Sequence, residues 1–368
     1  MNIYELEKLR KNVNEEIGEM QKEIKNARLD MSLGELASMY TEGDLIIRPE
    51  FQRLFRWDEY QKTRLLETIL VGLPMPSIFV VEDKEGRWEL IDGLQRLSTV
   101  FSFLGKLKNQ DQGETKDHNN WKMGEGDILK QIKGWAYEDL PPRAKNLIRR
   151  YICRVEIIYY GSDFDVRYEI FERLNTGGSP LSDQEIRNAI YRTESEDFNK
   201  FLTRNGKDNN EFLDLIRISN NQKDRLYADE LVLRFCALYK SDKITKNLKD
   251  YLNFYMKEMV RKTKDNKKEI GELEVIFKRT VNLLNKLDEE NLFWRKRGGF
   301  SASLYDGIMI GLARNIERYG NDNELLKDKI KELKSNNKFR EEFSGSQSHN
   351  AKNVMGRLKI ADKIFKKK

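Results

Sequence analysis

The chain has 368 residues, 35% of them charged, 39% hydrophobic and 10% aromatic; this supplies a sizeable core, favours two domains over one and excludes a disordered chain. Its 67 Lys and Arg exceed its 61 Asp and Glu by six, a mildly basic balance that permits a nucleic-acid partner without arguing for one. No apolar run approaches the ~20 residues of a membrane span, and the start MNIYELEKLRKNVNEE lacks the apolar core of a signal peptide, so a soluble, cytoplasmic protein with no membrane partner is expected.

In chain order, Leu6, Leu9, Val13, Ile17, Met20 and Ile24 recur at helical steps among charges. They predict an amphipathic helix over residues 1–30 that serves packing or homodimerisation. A mixed α/β stretch follows over residues 31–192. LIIRPEF (Leu45 to Phe51) reads as extended, and WDEYQKTRLLETILVG (Trp57 to Gly72) as a helix ending on glycine. SIFVVED (Ser77 to Asp83) and RWELID (Arg87 to Asp92) read as strands joined by a KEG turn, with a helix directly after the second. Lys106 to about Trp121 is polar and reads as an exposed insertion. LPPRAKNLIRRY starts a helix with prolines in its first turn, and ICRVEIIYY (Ile152 to Tyr160) is the most β-branched strand of the chain. A helix carrying FERLN and a TGGSPLS turn come next, where Ser182 is placed to cap the helix DQEIRNAIY. From Asp197 onward the apolar periodicity of LYADELVLRFCALY, LKDYLNFYMKEMV and SLYDGIMIGLARNI predicts a helical domain over residues 193–368. Cys153 and Cys236 lack metal-ligand spacing and read as buried thiols of a reducing compartment.

Three clusters carry the polar chemistry. In Asp92-Gly93-Leu94-Gln95-Arg96 a helix start offers unpaired N–H groups and a positive dipole end, glycine admits a ligand to the backbone, and Arg96 can fork onto an anion. The bland alternative is that Asp92 caps the helix and Arg96 pairs with a surface acid. In Pro49 to Trp57, Gln52, Arg53 and Arg56 are interleaved with Phe51, Phe55 and Trp57, a pattern suited to a phosphate or a stacked base, and equally to arginines lying over a core. Phe171 to Gly178 ends a helix with Arg173, Asn175 and two glycines; a plain C-cap explains the glycines and leaves Arg173 unexplained.

Together and in this order the clusters resemble the domain-of-unknown-function 262 family, the N-terminal domain of GmrSD-type modification-dependent restriction enzymes. Its members read QR-x-Y/F-x-W, PIP-x-I, DGQQR-L-T/S-T and F-x-R-L-N-x-G-G. The counterparts are Gln52 to Trp57, Pro74 to Ile78, Asp92 to Thr99 and Phe171 to Gly178, and Asp229 to Phe235 resembles the helical part that follows. The resemblance implies an α+β protein, a ParB/sulfiredoxin-like nucleotide-binding domain before an all-α domain. It also implies NTP binding and hydrolysis with Mg²⁺ and a place in anti-phage defence.

Carried over by position, Asp92, Gly93, Gln95 and Arg96 would form the nucleotide site, lined by Gln52, Arg53, Arg56, Arg173 and Asn175. Asp92 would hold a divalent cation or a water, Gln95 would orient water or a phosphate oxygen, and Arg96 and Arg53 would neutralise phosphate charge. Ser98 and Thr99 are expected in the first turn of the helix, where a hydroxyl can bind phosphate or metal.

Two departures from the family pattern matter. Leu94 stands where the first Gln of DGQQR is usual: if that amide positions the attacking water, the protein would bind nucleotide and hydrolyse it poorly, and if it faces the core the change is harmless. His118 and His349 are the two histidines, in unlike settings and without the partners of an HNH nuclease, so DNA cleavage would fall to a separate nuclease or other defence protein. The expected function is an NTP-dependent sensor or switch. The alternatives are a non-enzymatic DNA-binding or adapter protein and a nuclease using the acids around Asp92.

Overall fold

The computed structural model describes residues 5–6, 10, 12–18, 25–47, 57–108, 118–159, 164–174, 181–191, 196–244, 247–263, 266–295, 298–320, 322–341 and 350–366. The chain forms two compact units, Met1–Gly177 and Gly178–Lys368, an α+β unit followed by a helical one. Of the predicted N-terminal helix, residues 12–18 are helical, with Val13 and Ile17 about half exposed.

The first unit is built on a five-stranded mixed sheet of order β1-β5-β3-β4-β2. Its strands are β1 (Asn26–Ser32), β2 (Leu45–Ile46), β3 (Ile78–Glu82), β4 (Trp88–Asp92) and β5 (Ile152–Ile158). β1 runs antiparallel to β5, β5 parallel to β3, β3 antiparallel to β4, and β4 parallel to β2. β3 is central and β5 lies between it and β1; Val155 and Ile157 of β5 are fully buried, as β-branched residues on an inner strand should be. The predicted strand from Leu45 is confined here to two residues, and residues 48–56 lie outside the described residues. The hairpin between β3 and β4 is set by Asp83, whose carboxylate accepts the Glu85 and Arg87 N–H groups at 2.8 and 3.0 Å and the Arg87 guanidinium at 2.9 Å. Burial opposes ionisation of Asp83, and these donors outweigh it and hold its pKa below the ordinary carboxylate value.

Four helices complete this core: α1 (Leu33–Glu42), α2 (Glu59–Leu70), α3 (Leu94–Phe103) and α4 (Pro142–Arg150); a fifth, α5 (Phe164–Leu174), closes the unit. Ser32 caps α1 through the Glu35 N–H, and Asp58 and Gln61 form a reciprocal capping box on α2. Leu36, Leu66, Ile78, Leu97 and Phe101 meet in one apolar core with the inner strand residues. The loop after the predicted insertion is anchored on α2: the buried Glu67 carboxylate accepts the Asp127, Ile128 and Leu129 N–H groups at 2.9, 2.8 and 2.7 Å. Residues 109–117 of that insertion lie outside the described residues.

The second unit is helical: α6 (Asp183–Tyr191), α7 (Glu196–Asn205), α8 (Asn210–Ile216), α9 (Asn220–Asp224), α10 (Tyr227–Tyr239), α11 (Leu248–Thr263), α12 (Lys268–Asn285), α13 (Ala302–Arg314), α14 (Asn323–Ser335), α15 (Asn337–Glu341) and α16 (Ala351–Lys366). Ser182 caps α6 as its position predicts, accepting the Glu185 N–H while Glu185 accepts the Ser182 N–H. Helices α10 and α13 are buried on nearly every side and form the middle of the unit. Gly311 of α13 marks a close approach, since a Cβ there would lie 2.6 Å from the Phe365 ring of α16. Both cysteines are free and buried, and burial raises the Cys153 pKa to about 11. Among the described residues no helix is long and apolar enough to cross a membrane.

Polar groups in this interior are answered by name. Fully buried Asp229 accepts the Lys207 N–H at 2.8 Å and the Thr203 hydroxyl at 3.1 Å. Burial raises its pKa to about 6 against those donors and the Lys207 charge. Raising a carboxyl pKa on folding favours the protonated form, so this contribution is present below the unfolded value near 4 and is lost as pH rises through about 6. Asp229→Asn keeps the acceptor for Lys207 and offers an NH₂ to Thr203, so it is expected to gain stability over the wild type as pH is raised from 5 to 7.5. Urea unfolding across that range reads the change, and a difference independent of pH would contradict it.

Candidate functional site

The junction Asp92–Arg96 lies where β4 gives way to α3. Register places Phe79 opposite Asp92 and Val80 opposite Leu90, so Ile91 is an extra residue on β4, a bulge that turns the strand end just before the helix. Gly93 follows with φ +103° and is the helix cap. A Cβ there would stand 2.6 Å from Ile78 Cγ2, and residue 93 is buried. Glycine is therefore required by the left-handed backbone and by Ile78, and the space it leaves is filled by protein. No side chain caps α3, which corrects the reading of Asp92 as a helix cap.

Asp92 instead accepts a bond from Arg96 Nη2 at 2.7 Å; the Asp92 side chain is 53% exposed and that of Arg96 only 12%. Arg96 Nη1 also donates to the carbonyls of Pro76 and Ser77, the latter at 3.0 Å. One guanidinium thus ties the start of β3, the end of β4 and the first turn of α3 together. Gln95 Oε1 accepts the Trp57 N–H at 3.3 Å, which fixes the residue directly after Arg56 to the start of α3.

Leu94 is 4% exposed and belongs to the core, so the position that departs from the DGQQR pattern faces inward here. Ser98 and Thr99 fall in the second turn of α3 rather than the expected first and are fully buried; the Ser98 hydroxyl donates back to the Leu94 carbonyl. Arg173 lies on α5 with its side chain 80% exposed and bonds Glu169 one turn earlier at 3.1 Å. Gln52, Arg53, Arg56, Asn175 and His349 lie outside the described residues. The structure therefore brings together Asp92, Gly93, Gln95, Arg96 and the backbone of Trp57.

No group of three or more His, Cys, Asp or Glu suited to a metal ion occurs among the described residues. Among the described residues Asp92 is the carboxylate of the junction, and it already faces a guanidinium. That donor set fits Mg²⁺ only as the ion is commonly held beside nucleotides, by one or two carboxylates together with the phosphates themselves.

Sequence reading missed the buried polar network of the helical unit. Arg187 of α6, 1% exposed, donates to Asn253 at 2.8 Å and Gln184 at 3.0 Å and meets Glu230 at 3.3 Å. The signal available was the helical spacing of Gln184, Arg187 and Asn188 on a helix whose Ile186 and Ile190 are also buried.

A mixed sheet that launches a helix from a bulged strand end through a left-handed glycine, joined to a helical unit, defines an α+β domain with an all-α companion. Residues 33–192 match the family described as GmrSD restriction endonuclease, N-terminal domain. That segment is similar to the N-terminal domain of GmrSD-type restriction enzymes, the family its motifs resemble. No curated protein matches the chain.

Proposed function

We propose that this chain is a nucleotide-binding sensor or switch protein of a restriction or anti-phage defence system. The observation that carries the reading is the junction itself: a ten-residue helix with no side-chain cap begins at a strand end, beside Asp92 and Arg96. Its first N–H groups and dipole favour a phosphate. The Gln95 bond to Trp57 supports a role for the preceding cluster, because it ties to the helix start the residue that follows Arg56.

The residue roles follow the chemistry available to each. Gln52, Arg53 and Arg56 supply the amide and the cationic charge for the phosphates, and Gln95 orients both Trp57 and a phosphate oxygen. Arg96 acts as a positioning residue, holding β3, β4 and α3 in the arrangement that presents the helix start. Asp92 contributes one carboxylate to a Mg²⁺ that arrives with the nucleotide, which when bound would offset phosphate charge. Asn175 is assigned to the ligand on resemblance alone. Ser98, Thr99 and Arg173 are left with the local bonds they make.

Binding without turnover is a second reading, favoured by the commitment of Arg96 to Asp92 and two carbonyls, which leaves less of it to meet charge that builds during hydrolysis. With Leu94 directed into the core, the missing amide does not decide between the two. A DNA-binding or adapter role keeps the same shell and requires no hydrolysis.

Thermal melting of the full chain with each of the four common NTPs at millimolar concentration, with and without Mg²⁺, tests the proposal. A ligand at a hundredfold over its Kd adds about 2.7 kcal/mol, so one nucleotide should raise Tm by several degrees. Phosphate release by the same samples separates turnover from retention. No shift with any nucleotide would contradict the reading.

A further inference from the structure

The outer face of the last helix carries a row of lysines. Lys352, Lys359, Lys363 and Lys366 of α16 are all exposed, and at 100° per residue they fall within about 60° of one another. Val354, Arg357, Leu358, Ala361, Ile364 and Phe365 are buried on the opposite side, so the row points straight away from the bundle. Among the described residues none of the four lysines makes an ion pair. The only acid of the helix, Asp362, is not on the row and accepts a bond from Asn315 at 3.2 Å.

Neighbouring α14 shows what an ordinary solvated lysine face of this unit looks like. There Lys327, Lys329 and Lys331 pair with Glu324, Glu332 and Asp328 at 3.8, 3.1 and 3.8 Å. The α16 row has lost that neutralisation, and four like charges are held close on a well-seated helix. Phe365 packs over Gly311, and its carbonyl accepts the Tyr319 hydroxyl at 2.6 Å. Such an arrangement carries a standing electrostatic cost that a polyanion would relieve.

We infer that this row is a docking surface for the phosphate backbone of duplex DNA. The four lysines span 15 residues, about 21 Å of helix from first to last, the axial rise of roughly six base pairs at 3.4 Å each. The spacing suits a line of phosphates read as point charges, which is the way lysine binds them. An anionic membrane fits less well, because a surface-lying helix needs apolar residues on the face it presents, and the apolar face of α16 is spent on the bundle. The inference does not depend on the nucleotide reading.

Fluorescence anisotropy of the full chain with a short labelled duplex, over about 50 to 200 mM salt, tests it. Each phosphate contact contributes about 0.9 to the slope of log affinity against log salt. Replacing all four lysines with alanine should therefore flatten that slope by about 3 to 4 and weaken binding at low salt by the order of a hundredfold. Replacing all four with arginine should retain both slope and affinity, which separates charge from folding. Absence of DNA binding by the wild type, with or without lysine-dependent sedimentation on phosphatidylserine vesicles, would overturn the proposal, as would an unchanged slope in the alanine variant. Helix α4 exposes Arg143, Arg149 and Arg150, and loss of binding when these three are replaced with alanine, with the lysine variant unaffected, would place DNA there and equally overturn it.

Discussion

Replacing Asp306 with alanine is expected to destabilise the helical unit by about 4 kcal/mol, the usual scale for breaking a buried ion pair by removing one partner. Asp306 is 1% exposed in the middle of α13, where Arg234 of α10 donates to it through Nε at 3.0 Å and through Nη2. Arg357 of α16, also fully buried, holds Nη2 3.8 Å from the same carboxylate. Two guanidinium groups share one acid, so removing it leaves positive charge in a region closed to water. The paired substitution Arg234→Met/Asp306→Leu should cost less than Asp306→Ala, because it removes the closer of the two guanidinium charges along with the acid and leaves only Arg357 without that carboxylate. Urea unfolding of the three proteins checks the order, and equal losses would show that packing rather than charge sets the cost.

Arg96→Ala should cost about 3 kcal/mol in the α+β unit and abolish nucleotide binding. The side chain is largely buried, and its loss leaves the Pro76 and Ser77 carbonyls without their donor and Asp92 without its cation. Bonds to a charged group are worth about 1.5–3 kcal/mol each when one partner is removed, and the exposed side of Asp92 recovers part of that in water. Lysine at this position cannot fork to both β3 and Asp92, so Arg96→Lys should recover only part of the stability. Gln95→Ala separates the two effects. Its removal loses the 3.3 Å bond to Trp57 and leaves the Arg96 bonds in place, so Tm should fall less than in Arg96→Ala while nucleotide affinity falls by tenfold or more. Melting curves and binding titrations on the same variants give both numbers. Full affinity in Gln95→Ala would remove Gln95 from the site.

Many strands and helices of both units were legible because their signals are local. β-branched alternation marks β3 and β5, prolines mark the start of α4, and Ser182 marks the cap of α6. The internal chemistry of the junction was not legible. Asp92 stands before a helix, where a carboxylate ordinarily caps; the bulge at Ile91 and the left-handed Gly93 turn it instead toward Arg96. Ile78, which decides why residue 93 must be glycine, lies fifteen positions earlier on another strand. The placement of Ser98 failed by a single turn, because the helix begins at Leu94 and a residue four further on faces the interior. The buried ions of the helical unit were invisible for the same reason. Arg234 and Asp306 are 72 positions apart, and each alone reads as a charged residue on an amphipathic helix.

Isothermal titration of the full chain with each Mg²⁺–nucleoside triphosphate, set beside the Gln95→Ala protein, tests the junction most directly. Saturable binding of at least one nucleotide to the wild type is predicted, weakened tenfold or more in a variant that melts within a few degrees of it. Absence of heat with all four nucleotides at millimolar concentration, or equal affinity in the two proteins, would contradict the assignment of this strand-to-helix turn as the nucleotide site.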